Sequence, residues 1–407
     1  MDVVLSMFGP TAHGESPAQT AANLKKVGAT GLLFFTSLYH GYRLLQRRYP
    51  SKAIYSLETD RICFEPDLSF YADCSIRPGL SKDFAGRDWV AEMGKALHAE
   101  GLAFNPLIPV CAGERLVQEM PEIAVKNLYG SADRLFMCYN NPDVRAYRLA
   151  MVRDLASRYA FDNLMLDKIP QIMLEQCAFS GIFDAPLRTV GSACFCEHCK
   201  AAAAERNVDL EEIRLKAIEI ANQSLSIPSH IMAAQGTKVM GDTEVPLLLL
   251  EEPLVYQLLQ FRFETAVSFV GEIRRALKSC KPKAGLQAAF VPPSHFGHDM
   301  TSPRSWMTIQ SYKKYADVLD EIYCIVHYEP DVVRFETQRA VAAAGGRTKI
   351  VTGMRFYGST RPEEIAPLAE AALAGGSQGV HFLGYDITTD ELLTALRAWV
   401  EEKGINR

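Results

Sequence analysis

Tryptophan is scarce, with three residues in 407. Few indole platforms are therefore on offer for stacking a ligand, and Trp89 and Trp399 fall in helical patterns where core packing is the expected role. Nor is there a dense basic run. Lys plus Arg number 43 against 48 Asp plus Glu, a net charge of −5, and no stretch would neutralise a row of phosphates, which argues against a nucleic-acid partner. Apolar runs such as "PLLLL" are far shorter than the roughly 20 residues of a bilayer-spanning helix, so no membrane partner is expected. The opening "MDVVLSMFGP" has no cationic segment and no small-residue cleavage site; it reads as a strand, and the expected setting is cytoplasmic. Three catalytic signatures are missing too. No G-x-S-x-G elbow serves an acyl-transfer triad. No Gly-rich phosphate loop follows the first strand. That strand also lacks an H-x-H metal pair, having only His13 beyond its end.

What is present is a regular alternation. Short runs rich in Val, Ile, Leu and Phe alternate with amphipathic helical patterns, as parallel strands joined by helices do. The strand runs are Val3 to Phe8, Gly31 to Thr36, Ala103 to Pro109, Asn163 to Asp167, Gly285 to Phe290, Glu321 to His327, Lys349 to Met354 and Gly379 to Leu383. Among the helices, "NNPDVRAYRLAMVRDLASRY" has Asn141 to cap it, Pro142 at its first position, and Val144, Tyr147, Met151 and Leu155 on one face. Eight such units predict an α/β fold, a (β/α)8 TIM barrel over residues 1–407, with an open doubly wound sheet as the alternative. Two long insertions follow strands 2 and 4, residues 41–88 and roughly 170–250. Both leave the C-terminal ends of strands, the face where barrel sites are built. A homo-oligomer is compatible with the composition.

Ten cysteines in a chain without an export signal point to free thiols and metal ligands. Cys63, Cys74, Cys111, Cys280 and Cys324 read as small core or loop residues. In "CFCEHC", by contrast, Cys194, Cys196 and Cys199 lie close enough to converge on one tetrahedral ion, and a structural zinc site then needs one more ligand. Cys138, Cys177 and His198 are the candidates. An iron–sulfur cluster would more usually take C-x-x-x-C-x-x-C near the first strand, so zinc is preferred. With four thiolates the ion has no open position, and such a site is structural.

The run "CYNNPDVRAYRLAMVRDLASRYAFDNLMLDKI" followed by "CFCEHCK" resembles hypothetical glycosyl hydrolase family 6. It is also similar to the barrel of family 42 β-galactosidases, in which a cysteine before a "PN-P-YR" motif joins a later C-x-C-x-x-C on zinc. The resemblance spans residues 135–200 at the level of motifs and selects Cys138 as the fourth ligand. It implies a glycoside hydrolase. One departure matters: the galactosidases end the fourth strand with Asn-Glu, the Glu being the acid/base, whereas this chain has "LMLDKIP" there. Galactosidase activity is therefore not carried over.

At that strand end, Asp167 is a carboxylate costly to bury without a role. It is the expected nucleophile at an anomeric carbon, as the resemblance to retaining α-fucosidases and α-galactosidases implies for this position. Pairing with Lys168 or an arginine is the structural alternative. A second carboxyl group must protonate the leaving oxygen. Glu329, beyond the sixth strand, is the expected acid/base, its pKa to be raised by a neighbouring ring, with Glu175 and Asp386 in reserve. Tyr39, His40, Lys168, His327, Tyr328, Arg355, Tyr357, Tyr385 and Asp386 sit at strand ends as candidate sugar contacts. His295 and His298 form a weaker pair after the fifth strand. The expected reaction is hydrolysis of a small glycoside or oligosaccharide with retention. Two rivals are a catalytically silent sugar-binding barrel and a sugar lyase or isomerase using Lys168 or His327 as base.

Overall fold

The computed structural model describes residues 1–8, 15–37, 41–44, 54–82, 86–169, 185–226, 244–291, 309–327, 329–357 and 360–405. Eight strands close a parallel barrel: β1 (Asp2–Phe8), β2 (Gly31–Phe35), β3 (Ala103–Pro109), β4 (Asn163–Asp167), β5 (Gly285–Phe290), β6 (Glu321–Ile325), β7 (Lys349–Arg355) and β8 (Gly379–Leu383). Each pairs with its sequence neighbours, and β8 pairs with β1 through Val380 and Val3. Closure settles the choice between a barrel and an open sheet. The strand bounds match the apolar runs except that β1 starts one residue earlier, β7 ends one residue later, and β2 and β6 stop one and two residues short.

These strands are apolar on both faces because both are covered. One face packs under helices, where Leu5, Phe34, Phe104, Leu166 and Phe382 join the large core. The other fills the lumen. Strand register arranges the lumen residues in layers of four drawn from alternate strands. From the N-terminal end upward these are Val4, Asn105, Gln287 and Val351; then Leu33, Met165, Tyr323 and His381; then Ser6, Leu107, Ala289 and Gly353; then Phe35, Asp167, Ile325 and Leu383. At the base, Lys349 pairs with Asp2 and, at 3.2 Å, with Glu321.

The surrounding helices follow their start signals. In α1 (Pro17–Lys26) Ser16 caps, and in α2 (Trp89–Ala99) Asp88 caps. In α3 (Pro142–Arg158) Asn141 accepts from the Asp143 N–H, Pro142 leads, and Val144, Tyr147, Met151 and Leu155 are buried as the spacing predicted. Trp89 and Trp399 are buried as well. Between β4 and the 28-residue helix α6 (Pro253–Cys280) lie α4 (Glu197–Ala204) and α5 (Leu210–Leu225). The segment after β2 forms an antiparallel hairpin, Gly41–Leu44 with Ile54–Leu57. The last helices are α7 (Pro330–Ala344), α8 (Ile365–Ala374) and α9 (Asp390–Lys403). Gly345 and Gly404 end α7 and α9 at φ 61° and 65°, conformations in which a side chain would be strained. Among the described residues no helix is long and apolar enough to cross a membrane.

Candidate active site and metal centre

Alternation along "NLMLD" sends Leu164 and Leu166 into the helix-facing core and Met165 and Asp167 into the lumen. Asp167 therefore ends its strand in the top layer, where it is half-buried. Its Oδ1 accepts the Lys168 N–H at 2.8 Å, and among the described residues no ion pair reaches the carboxylate. The next residue is strained. Lys168 has φ 51°, left-handed backbone that a lysine adopts at a cost of about 1 kcal/mol or more. The turn is held by β3's continuation, with Val110 N–H donating to the Asp167 carbonyl at 2.7 Å and Cys111 N–H to that of Lys168 at 2.9 Å. The layers below are closed, but Asp167, Ala289, Ile325 and Leu383 are all half-buried, so the lumen opens at its C-terminal end as far down as Ala289.

The rim departs from expectation at several points. Glu329 caps α7 beyond β6, but its side chain is 70% exposed and lies 3.7 Å from the Arg355 guanidinium. So exposed a side chain lacks the desolvation expected of it; Pro330 follows it in the first turn of the helix. Arg355 also reaches Glu364 at 3.3 Å. His327 and Tyr357 do come together, the hydroxyl lying 3.5 Å from Nδ1 and the rings meeting edge to face. Tyr385 and Asp386 are fully buried. The Tyr385 hydroxyl donates to Glu15 at 2.9 Å and Asp386 accepts the Phe8 N–H at 3.1 Å, so both tie β8 to the β1 side of the rim rather than line the opening. Tyr39, His40, Tyr328, Glu175, Cys177, His295 and His298 lie outside the described residues.

One lumen residue was not foreseen. His381, in the second layer, is buried, its ring meets that of Tyr323 edge-on with centroids 5.2 Å apart, and neither ring nitrogen has a hydrogen-bond partner among the described residues. Burial holds its pKa down, to about 3. Within "GVHFLG" it reads as strand interior, and the only available signal was its parity with Gly379 and Leu383.

The cysteines converge. The sulfurs of Cys138, Cys194, Cys196 and Cys199 lie within 4.8 Å of one another and all four residues are buried. Cys138 is 3.5 Å from Cys199 and 3.6 Å from Cys196, against about 3.8 Å between sulfurs of a tetrahedral site with 2.3 Å zinc–sulfur bonds. Two N–H groups point at the sulfurs, Lys126 N–H at Cys194 (3.4 Å) and the Asn140 amide at Cys199 (3.3 Å), as donors around metal thiolates do. Hydrogen bonds from the other thiols push Cys196 far down, whereas burial pushes Cys138 up. The donor set fits a soft or borderline ion with tetrahedral preference. His198 is not part of it. Cys138 precedes α3 and ends the hairpin Ala124–Lys126 with Ala132–Met137, so the cluster fastens the loop after β3 to the segment after β4. The remaining described cysteines are unpaired and all but Cys280 are buried.

No family model matches the sequence, and no curated protein does. Solved structures do. An α-L-fucosidase isoenzyme from Paenibacillus thiaminolyticus is 13% identical with a TM-score of 0.57, over 99% of this chain and 49% of that one. The PgaB (BpsB) glycoside hydrolase domain from Bordetella bronchiseptica is 10% identical with a TM-score of 0.58, over 98% of both chains. A β-galactosidase from Halorubrum lacusprofundi is 12% identical with a TM-score of 0.58, over 99% of this chain and 58% of that one. This chain thus spans about half of the fucosidase and just under three fifths of the galactosidase. At such identities the likeness shows the fold, a TIM barrel shared with glycoside hydrolases, and nothing finer.

Proposed function

We propose that the chain is a glycoside hydrolase of the hypothetical glycosyl hydrolase family 6 type, acting with retention on a small glycoside or oligosaccharide. The observation that carries this reading is the carboxylate of Asp167, half-buried with no cationic partner among the described residues, at the open end of the lumen and followed by the strained turn at Lys168. A carboxylate so held is pre-positioned to attack an anomeric carbon, and strain at a strand end is the kind of cost that active sites retain. Glu329 is the proposed proton donor to the leaving oxygen, with its contact to Arg355 exchanged for the glycosidic oxygen when substrate enters. Arg355, Lys168 and the His327–Tyr357 pair are the proposed hydroxyl contacts among the described residues; Tyr39, His40 and Tyr328 complete the set.

Cys138, Cys194, Cys196 and Cys199 would hold a structural zinc ion, whose chemistry is to cross-link two rim loops, all four positions being thiolate. The catalytic assignment is tested on a panel of aryl glycosides. Asp167→Asn is expected to lower turnover on the order of a thousandfold, and Glu329→Gln to lose most activity on substrates with poor leaving groups. Unchanged turnover in both variants refutes the assignment. A second reading, sugar binding without hydrolysis, draws on the exposure and ion pairing of Glu329; saturable binding with no turnover by the wild type would favour it.

A further inference from the structure

The stretch that supplies the remote cysteine also carries the groups that surround it. In "CYNNPDVR" Cys138 is followed by Asn140, by Asn141 as the cap of α3 and, one turn into that helix, by Arg145. The first helical hydrogen bond, from the Arg145 N–H to the Asn141 carbonyl at 3.1 Å, brings Arg145 back beside the residues that precede the cap. Its Nε donates to the Tyr139 carbonyl at 2.7 Å, its Nη1 meets Glu272 of α6 at 2.6 Å, and its guanidinium lies 5.0 Å from the centre of the Phe269 ring. Nη2 then faces Asn140 Oδ1 at 3.4 Å, while the other end of that amide, Nδ2, lies 3.3 Å from Cys199 Sγ.

A guanidinium offers donors only, and a thiolate can only accept. An amide placed between them therefore has one favourable orientation, with its oxygen toward the arginine and its N–H toward the sulfur. Turned over, it would set oxygen against sulfur and N–H against N–H. We infer that Arg145 is a positioning residue for the metal centre, holding Asn140 so that its N–H stays on the Cys199 sulfur. The inference rests on the reading that the four cysteines hold a metal ion. An N–H bonded to a thiolate draws electron density from the sulfur and stabilises the charged, ligating form. In a buried site made of thiolates, such donors do what solvent would otherwise do. All three guanidinium nitrogens of Arg145 are engaged, and Glu272 balances its charge. The orientation of the amide is thus inherited from α6, an element that contributes no cysteine to the cluster.

Zinc affinity, measured by competition with a chromophoric chelator, is expected to fall roughly ten- to a hundredfold in Asn140→Ala and by a similar factor in Arg145→Met. Because the arginine acts through the amide, the double variant should lose no more than Asn140→Ala alone. With Co2+ in place of zinc, the thiolate-to-metal charge-transfer bands should move to lower energy in both single variants, which a general loosening of α3 would not produce. Unchanged affinity and bands in Arg145→Met, or losses that add in the double variant, overturn the inference. A wild type that takes up neither ion defeats the zinc reading and the inference together, whereas metal held equally by wild type and variants defeats the inference alone. If Arg145→Met fails to fold, Arg145→Lys takes its place, since it can keep the ion pair with Glu272 but has no planar fork to reach Asn140 as well. It should show the same loss and band shift, and wild-type behaviour in it overturns the inference.

Discussion

At the scale of single residues, His381 has a consequence for acid stability that is independent of activity. Its pKa in the fold is about 3, pushed down by burial from an ordinary value of 6.5. The charged form is disfavoured in the fold, so above pH 6.5 the group contributes no pH dependence. As the pH falls from 6.5 toward 3 the unfolded chain takes up a proton that the folded chain refuses. Stability therefore drops with falling pH, by at most about 1.4 kcal/mol per unit from this residue. Urea midpoints at pH 7 and pH 4.5 should differ less in His381→Phe than in the wild type; an unchanged difference would show that other groups dominate. Residue identity was legible at Asp167, because a lone acid closing an apolar run stands out. The surroundings of Glu329, exposed, and of Tyr385, buried, were not legible. Whether a strand-end side chain faces the opening depends on the next backbone turn, and Pro330 follows Glu329 while Gly384 (φ 97°) precedes Tyr385.

At the scale of elements, strand existence was read from apolar runs because parallel strands covered on both faces leave no polar alternation to blur them. The same uniformity hid the layers: Val4 and Leu5 look alike in sequence, yet one faces the lumen and the other the helices. The cysteine spacing grouped three of the four clustered residues; the fourth, Cys138, was selected by the resemblance and not by spacing, since it lies 56 residues before Cys194 (194 minus 138) and is brought back by the hairpin ending at Met137. The cluster should behave as a clip between two rim elements. Elemental analysis should find about one zinc per chain. Cys199→Ser should lose it, lower the melting temperature by several degrees, and open the hairpin at Tyr129 and Gly130 to limited proteolysis. Iron with visible absorbance, or protease resistance equal to wild type in a metal-free variant, would contradict the structural-zinc assignment.

At the scale of the whole molecule, the lumen grades from charged at its base, through three layers that mix polar and apolar side chains, to an acid at its open end. The base ions Asp2, Lys349 and Glu321 come from β1, β7 and β6 and join distant parts of the sequence. Hydrogen exchange should accordingly find β1 and β8 protected to a similar degree, and markedly faster exchange in β1 would show an open seam. That seam has a temporal side. The β8 partner of β1, Gly379–Leu383, follows every other barrel strand in the chain. Until that partner has been synthesised, β1 carries an unsatisfied edge, so the ring closes only after all eight strands exist, and a chaperone that shields β-edges would find its client in the nascent chain.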